Sequence, residues 1–272
     1  MRSRFSAALV FLICGMSAAP AHAEGDALHF WDASDPGSTR DVDHSSWQAF
    51  LTQYVTSHDD GINRVAYRQA RESNAGQSVT RYVERLSATD PRHLNRAAQM
   101  AYWINLYNAL TVEVVLHHPN KKSIRRMGGG FFLRGPWDDE ATVIAGQTLT
   151  LNDIEHRILR PIYQDPRIHF AVNCASLGCP NLAQTVFRAD TLDDALSAAE
   201  RAYINHPRGV SFDSHADLRV SSLFSWYRQD FADSERALLK YLAQRHDTQS
   251  DTLARHTAGI DYEYDWTLNS AD

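Results

Sequence analysis

Cysteine is scarce in this chain, with three residues in 272, at positions 14, 174 and 179. That supply excludes a disulfide scaffold, and an apolar fraction of 43% makes one unnecessary for a core. Positive charge is also short, 27 Lys+Arg against 33 Asp+Glu. The deficit argues against nucleic acid or an anionic membrane surface as partner, because both need clustered positive charge. Beyond residue 23 no apolar run approaches the roughly 20 residues of a membrane span, so none is expected. Internal repeats and low-complexity tracts are lacking too.

The N-terminus sets the expected compartment. Arg2 and Arg4 precede the apolar stretch Ala7–Met16, and Ala21-His22-Ala23 forms a small-x-small cleavage signal. Residues 1–23 therefore read as a signal peptide, with a periplasmic or secreted mature chain from Glu24. Cys14 follows the bulky Ile13, where lipid attachment needs a small residue. Removing the leader takes two arginines and no acids, moving the net charge from −6 to near −8. Only Cys174 and Cys179 survive it. In an oxidising compartment they would tend to pair, although so short a loop contributes only about 2 kcal/mol.

After a polar, irregular lead-in (24–44), residues 45–91 read as an N-terminal helical part. Trp47, Phe50, Leu51, Tyr54 and Val55 recur at helical spacing, and so do Val79, Tyr82, Val83 and Leu86. Ile62 to Tyr67 suits a short strand. Arg92 to His117 is apolar on nearly every side, the pattern of a central buried helix. Asn105 and Asn108 interrupt it at i, i+3, with Thr111 beyond, either to tie down loops or to line a pocket. Lys121 to Trp137 is a basic, glycine-rich loop that reads as a flap or docking loop. It lacks the Lys-Ser/Thr of a phosphate loop, and no cofactor is expected.

Thr142 to Thr150 reads as a hairpin turning at Gly146-Gln147. Thr150 then caps a helix from Leu151 to Arg160 that Pro161 should stop. Glu155 lies within its apolar stripe, where a carboxylate is seldom left unpaired, and His156 sits at the margin. Thr191 to Asn205 is another amphipathic helix. Residues 207–272 read as an extension packed on the core, ending in Ile260–Trp266, whose alternation sets an aromatic face against an acidic one. The expected fold is α+β: a single compact domain with a central buried helix, a small mixed or antiparallel sheet and surrounding helices.

The stretch Ile168-His169-Phe170-Ala171-Val172-Asn173-Cys174 reads as an apolar strand feeding a loop that ends at Cys179-Pro180. Cysteines at such strand ends are where scaffolds present reactive groups. Extended geometry would put His169 roughly 16 Å from Cys174 and on the opposite face. His156 beside Glu155 is then the expected base. The expected constellation is Cys174 as nucleophile, His156 as proton shuttle and Glu155 as its orienter, with Asn105, Asn108, Asn173, His169 and Cys179 assisting. A zinc site from Cys174, Cys179, His156 and His169 is disfavoured by the C-x4-C spacing, and no metal is expected.

Three segments in order, Tyr102–Thr111 (YWINLYNALT), Asp153–Arg160 (DIEHRILR) and Ile168–Cys174 with Cys179-Pro180, resemble the DUF547 family, a domain of unknown function. The resemblance covers roughly 92–206, and Asp265-Trp266-Thr267-Leu268-Asn269 is similar to a common downstream extension. It implies that the asparagines, Glu155-His156 and the cysteine segment form one pattern. It also implies members inside cells as well as outside, which would weaken a purely structural disulfide. It brings no settled activity. The expectation is a cysteine hydrolase or acyltransferase acting on a small-molecule or peptide amide or ester, of unstated oligomeric state. A non-catalytic envelope binding or assembly module with a Cys174–Cys179 disulfide, and a thiol–disulfide redox protein, stay open as alternatives.

Overall fold

A computed structural model describes residues 29–129, 135–215 and 217–272. Residues 1–23, expected to be a signal peptide, the start of the lead-in, and Phe131, Phe132 and Arg134 of the glycine-rich loop lie outside the described residues.

A long apolar helix organises the N-terminal half. α1 (Ser45–Tyr54) runs into the antiparallel pair β1 (Val55–Ser57) and β2 (Asn63–Val65), followed by α2 (Tyr67–Glu72) and α3 (Ala75–Ser87). α4 (Arg96–His117) is capped by Asn95, whose Oδ1 accepts the Ala98 N–H at 3.0 Å, and it is buried continuously from Ala98 to Val112. Trp47, Phe50 and Leu51 of α1 and Val79, Tyr82 and Leu86 of α3 close over it, with Trp47 stacked on Tyr82 at 5.9 Å. The lead-in is less irregular than its composition suggests. Residues 29–32 form a helical turn that buries Trp31 edge-on against Trp103.

β3 (Glu140–Ile144) and β4 (Gln147–Thr150) form the expected hairpin, but the turn is Ala145-Gly146, one residue earlier. Both residues have positive φ, 47° and 78°, as a two-residue turn matching the strand twist requires. Thr150 and Asp153 then cap each other: Thr150 Oγ1 accepts the Asp153 N–H at 3.0 Å, and Asp153 Oδ2 accepts the Thr150 N–H at 2.9 Å. Pro161 does not end the helix that follows. Asp153–Tyr163 is wound as a π-helix with Pro161 inside it, ending at Gln164 in the left-handed region. The wider winding tolerates a residue that has no N–H to give.

The expected strand at Ile168 is corrected to a helical turn, α5 (Ile168–Ala171). The reason lies just upstream. Asp165 accepts the Arg167 N–H at 2.9 Å and Pro166 supplies a helical φ, so Asp-Pro starts a helix exactly where the apolar run begins. An apolar run this short carries no period of its own. α5 lies where two cores meet: Ile168 and Ala171 pack with the α4 cluster, Phe170 with a C-terminal cluster around Tyr203, Phe224 and Leu238.

That second cluster is built from α6 (Leu192–Ile204), β5 (Val210–Phe212), β6 (Leu218–Ser221), α7 (Leu223–Trp226), α8 (Arg228–Phe231), α9 (Glu235–Ala243), α10 (Ser250–Arg255) and β7 (Ile260–Glu263). β5 and β6 pair antiparallel, and β7 adds parallel to β6, giving a mixed sheet. The chain is α+β. Among the described residues no helix is long and apolar enough to cross a membrane.

Candidate functional site

The cysteine loop is shaped by residues far from it in sequence. Asn108 Oδ1 accepts the Asn173 N–H at 2.8 Å and its Nδ2 donates to Ala171 O at 2.9 Å, fastening the end of α5 to α4. Asn173 donates to Pro180 O at 2.7 Å and accepts the Ala175 N–H at 2.9 Å. Ala175 takes φ 55°, a left-handed conformation that costs a non-glycine residue about 1–2 kcal/mol. That turn directly follows Cys174 and opens the loop that returns Ser176 and Cys179 to it. Downstream residues then pair with the loop: Leu177 N–H donates to Thr267 O at 2.8 Å, and Gly178 N–H to Asp265 O at 2.9 Å.

Cys174 is partly exposed, Cys179 is buried, and both are free thiols. The Cys174 N–H points at Cys179 Sγ, 2.9 Å away, and Cys174 Sγ lies 3.2 Å from Ser176 Oγ and 3.0 Å from the Tyr264 hydroxyl. Hydrogen bonds from Cys179, Ser176 and Tyr264 outweigh burial and pull the Cys174 thiol below the ordinary range. Burial and the neighbouring Cys174 sulfur push Cys179 up. Burial also raises Tyr264, which keeps its proton to donate.

Cys174 faces a cavity of about 280 Å³ walled by Tyr107, Trp137, Trp226, Tyr227, Tyr264 and Trp266, with Glu155, His169 and Cys179 among its lining residues. His169 is buried, stacked on Tyr227 at 4.1 Å, with Nε2 2.6 Å from Asp230 Oδ2. A carboxylate can only accept, so the proton sits on Nε2, and Nδ1 is left facing Glu155 Oε1 at 3.8 Å. Burial would raise Asp230, but His169 and Arg160 hold it well below the usual carboxylate range. Glu155 accepts a hydrogen bond from Tyr107 at 3.0 Å.

Helical rather than extended backbone changes the relation between His169 and Cys174: both now belong to one cavity wall. His156 lies outside that wall, half-buried, with Nδ1 3.2 Å from Arg160 Nη1 and 3.9 Å from Glu155 Oε1. Burial, more than the nearby charges, depresses its pKa. Among the described residues no hydrogen bond joins His156 to Cys174. Asn105 is committed to Ala101 O and Phe187 O, 2.9 and 2.8 Å away. The amides of Asn105, Asn108 and Asn173 thus tie backbone together and are not among the cavity-lining residues.

Residues 91–204 match the family model described as "Protein of unknown function, DUF547". Over that segment the chain is similar to the DUF547 family. No curated protein and no solved structure matches it. The DUF547 segment supplies both cysteines, His169 and Glu155, but Asp230, Tyr227, Trp226, Tyr264 and Trp266 come from outside it. Asp230 and Tyr264 are not among the site residues expected from the sequence. Tyr264 had a signal, since it sits on the aromatic face of the alternating Ile260–Trp266 segment. Asp230 had none, because its pairing spans 61 positions.

Proposed function

We propose that this DUF547-like protein is a periplasmic or secreted cysteine-dependent hydrolase or acyltransferase acting on an amide or ester, with Cys174 as nucleophile. The observation carrying this is the sulfur of Cys174 at the wall of an aromatic cavity, within hydrogen-bond distance of the Ser176 and Tyr264 hydroxyls, with His169, paired to Asp230, in the same wall. His169, oriented by Asp230 and part of the cavity wall, suits the shuttle better than His156, which lies outside that wall. His169 Nδ1 would carry the shuttled proton, and Glu155 Oε1, 3.8 Å away, would stabilise the charged ring.

In this reading His169 Nδ1 takes the Cys174 proton, the thiolate adds to the carbonyl carbon, and the π pair moves to oxygen, where the Tyr264 hydroxyl can donate. Collapse expels the amine or alcohol, which takes a proton from the His169 imidazolium and leaves a thioester. His169 then accepts a proton from water, or from an acyl acceptor, as it attacks the thioester. The Cys174 sulfur leaves as thiolate and Asp230 stays ionised throughout. Cys179, buried behind the nucleophile, favours a second reading in which the pair cycles between dithiol and disulfide.

Labelling of the mature protein with a limiting electrophilic probe, followed by peptide mapping, tests the first reading. Selective labelling of Cys174 at a pH where ordinary cysteines react slowly, reduced in His169→Gln but not in His156→Gln, is the expected result. Equal labelling of both cysteines would remove the activated thiol. Labelling that depends on His156 instead would restore that residue as the partner. Rapid exchange with oxidised glutathione, without acylation by any ester, would favour the redox reading.

A further inference from the structure

The cleft at Cys174 does not end at its aromatic wall. Trp226 stacks on Trp266 at 5.5 Å, Tyr264 fills the angle between them at 4.8 and 4.7 Å, and Trp137 meets Trp266 edge-on at 5.8 Å. Rings in direct mutual contact leave no gap for a ligand to enter between them, and Trp226, 49% exposed, is the ring that can receive one. Trp266 is shared with a second hollow of about 430 Å³, lined by Lys122, Ser123, Arg125, Arg126, Asp265 and Thr267. Arg125 holds its guanidinium 5.3 Å over the Trp266 ring, at the boundary between the two hollows.

Lys121, Lys122, Arg125 and Arg126 put four exposed cations into the six positions 121–126, around the buried Ile124, in a chain whose net charge is −6. Among the described residues none of the four is ion-paired. The one carboxylate in the hollow, Asp265, accepts the Thr267 N–H at 2.8 Å. At the thiol end the lining charges are the opposite, with Asp138 and Glu155. The cleft is therefore polarised from an acidic thiol end, across an aromatic floor, to a basic hollow.

Resting on the thiol reading above, we infer the substrate class: an acyl donor with a flat apolar group that lies against the exposed Trp226 ring and an anionic group, phosphate or carboxylate, that lies over Lys122 and Arg126. The anionic group fixes the direction of binding and so which bond meets the sulfur. Exposed ion pairs contribute up to about 1 kcal/mol each, so removing an anion held by both Lys122 and Arg126 should cost up to about thirtyfold in affinity.

Ligands that cannot react separate this inference from the chemistry. Mature Cys174→Ser protein is titrated with S-benzyl pantetheine, which is neutral, with its 4′-phosphate, and with the analogue ending in a carboxylate, followed by tryptophan fluorescence and calorimetry. At least one anionic ligand is expected to bind about fivefold or more tighter than the neutral one at low salt. The phosphate-to-carboxylate ratio identifies the anion. The advantage should vanish at high salt and in the Lys122→Gln/Arg126→Gln variant, whose side chains are exposed and whose folding is checked by its melt. Equal affinity for all three, an advantage that survives both treatments, or no binding by any ligand overturns the inference. The probe-labelling result judges the thiol reading separately, because no bond forms here.

Discussion

Replacing Gly178 by alanine puts a methyl group where the chain has no room for one. A Cβ there would lie 2.7 Å from Asp265 N, 2.9 Å from Asp265 O and 3.0 Å from Tyr264 Cδ1. Two of the three obstacles are backbone, so no rotamer change relieves the clash. The pairing of Leu177 and Gly178 with Thr267 and Asp265 must open instead. Overpacking typically costs about 1–3 kcal/mol, and each of the two hydrogen bonds about 0.5–1.5 kcal/mol. The sum, about 2–6 kcal/mol, lowers the melting temperature by roughly 5–15 °C in a chain of this size. The same displacement draws the Tyr264 hydroxyl away from Cys174, so the thiol should titrate higher. Thermal melting and the pH profile of Cys174 alkylation, measured on one preparation, test both effects. Gly146→Ala is the control: φ is 78° with nothing within 4 Å, so it should cost about 1–2 kcal/mol and leave the alkylation profile alone. A Gly178→Ala protein that melts and reacts like wild type would refute the idea that the 264–269 segment holds the thiol.

Three further outcomes are expected. Tyr264→Phe removes one donor from the Cys174 sulfur. A hydrogen bond to a charged group is worth about 1.5–3 kcal/mol, so the alkylation inflection should rise by about 1–2 pH units, and an unmoved inflection would discount the contact. Asn108→Ala strands the Asn173 N–H and the Ala171 carbonyl and should cost about 2–4 kcal/mol in a denaturant melt; a ligand-affinity change at full stability would instead make Asn108 a binding residue. Burial lowers His44 from 6.5 to about 4, so the folded state keeps the ring neutral while the unfolded chain takes up a proton. Its contribution is complete above pH 6.5 and is lost as pH falls towards 4, at up to about 1.4 kcal/mol per pH unit. His156 and His246 are depressed as well, so the measurement is the difference between wild type and His44→Gln across that range.

What the sequence disclosed followed from periodicity and end signals. The inward faces of α1 and α3, the all-round burial of α4, the Thr150 cap and the hairpin were legible because each repeats or ends in a way one segment can express. Glu155 on the apolar stripe of its helix was legible for the same reason. Ile168–Ala171 was not. Four apolar residues fit strand and helix equally, and the deciding feature, Asp165-Pro166, lies outside the run. That single misassignment turned His169 away from Cys174 and advanced His156 in its place. The partners of the sulfur were out of reach for another reason: Tyr264 lies 90 positions downstream, and such proximity belongs to the tertiary fold alone.

Asn269, buried at 1% exposure, joins three distant parts of the molecule. Its side chain accepts from the Tyr67 hydroxyl at 2.9 Å, its carbonyl accepts the Val65 N–H at 2.9 Å, and its own N–H donates to Ala175 O at 3.1 Å. During synthesis, then, the DUF547 segment can be made while its sulfur is still unarmed. Residues 264–269 emerge later and bring the phenol and the stitching that complete its surroundings. A nascent chain would thus carry an ordinary thiol and acquire a sharpened one only on docking this downstream segment.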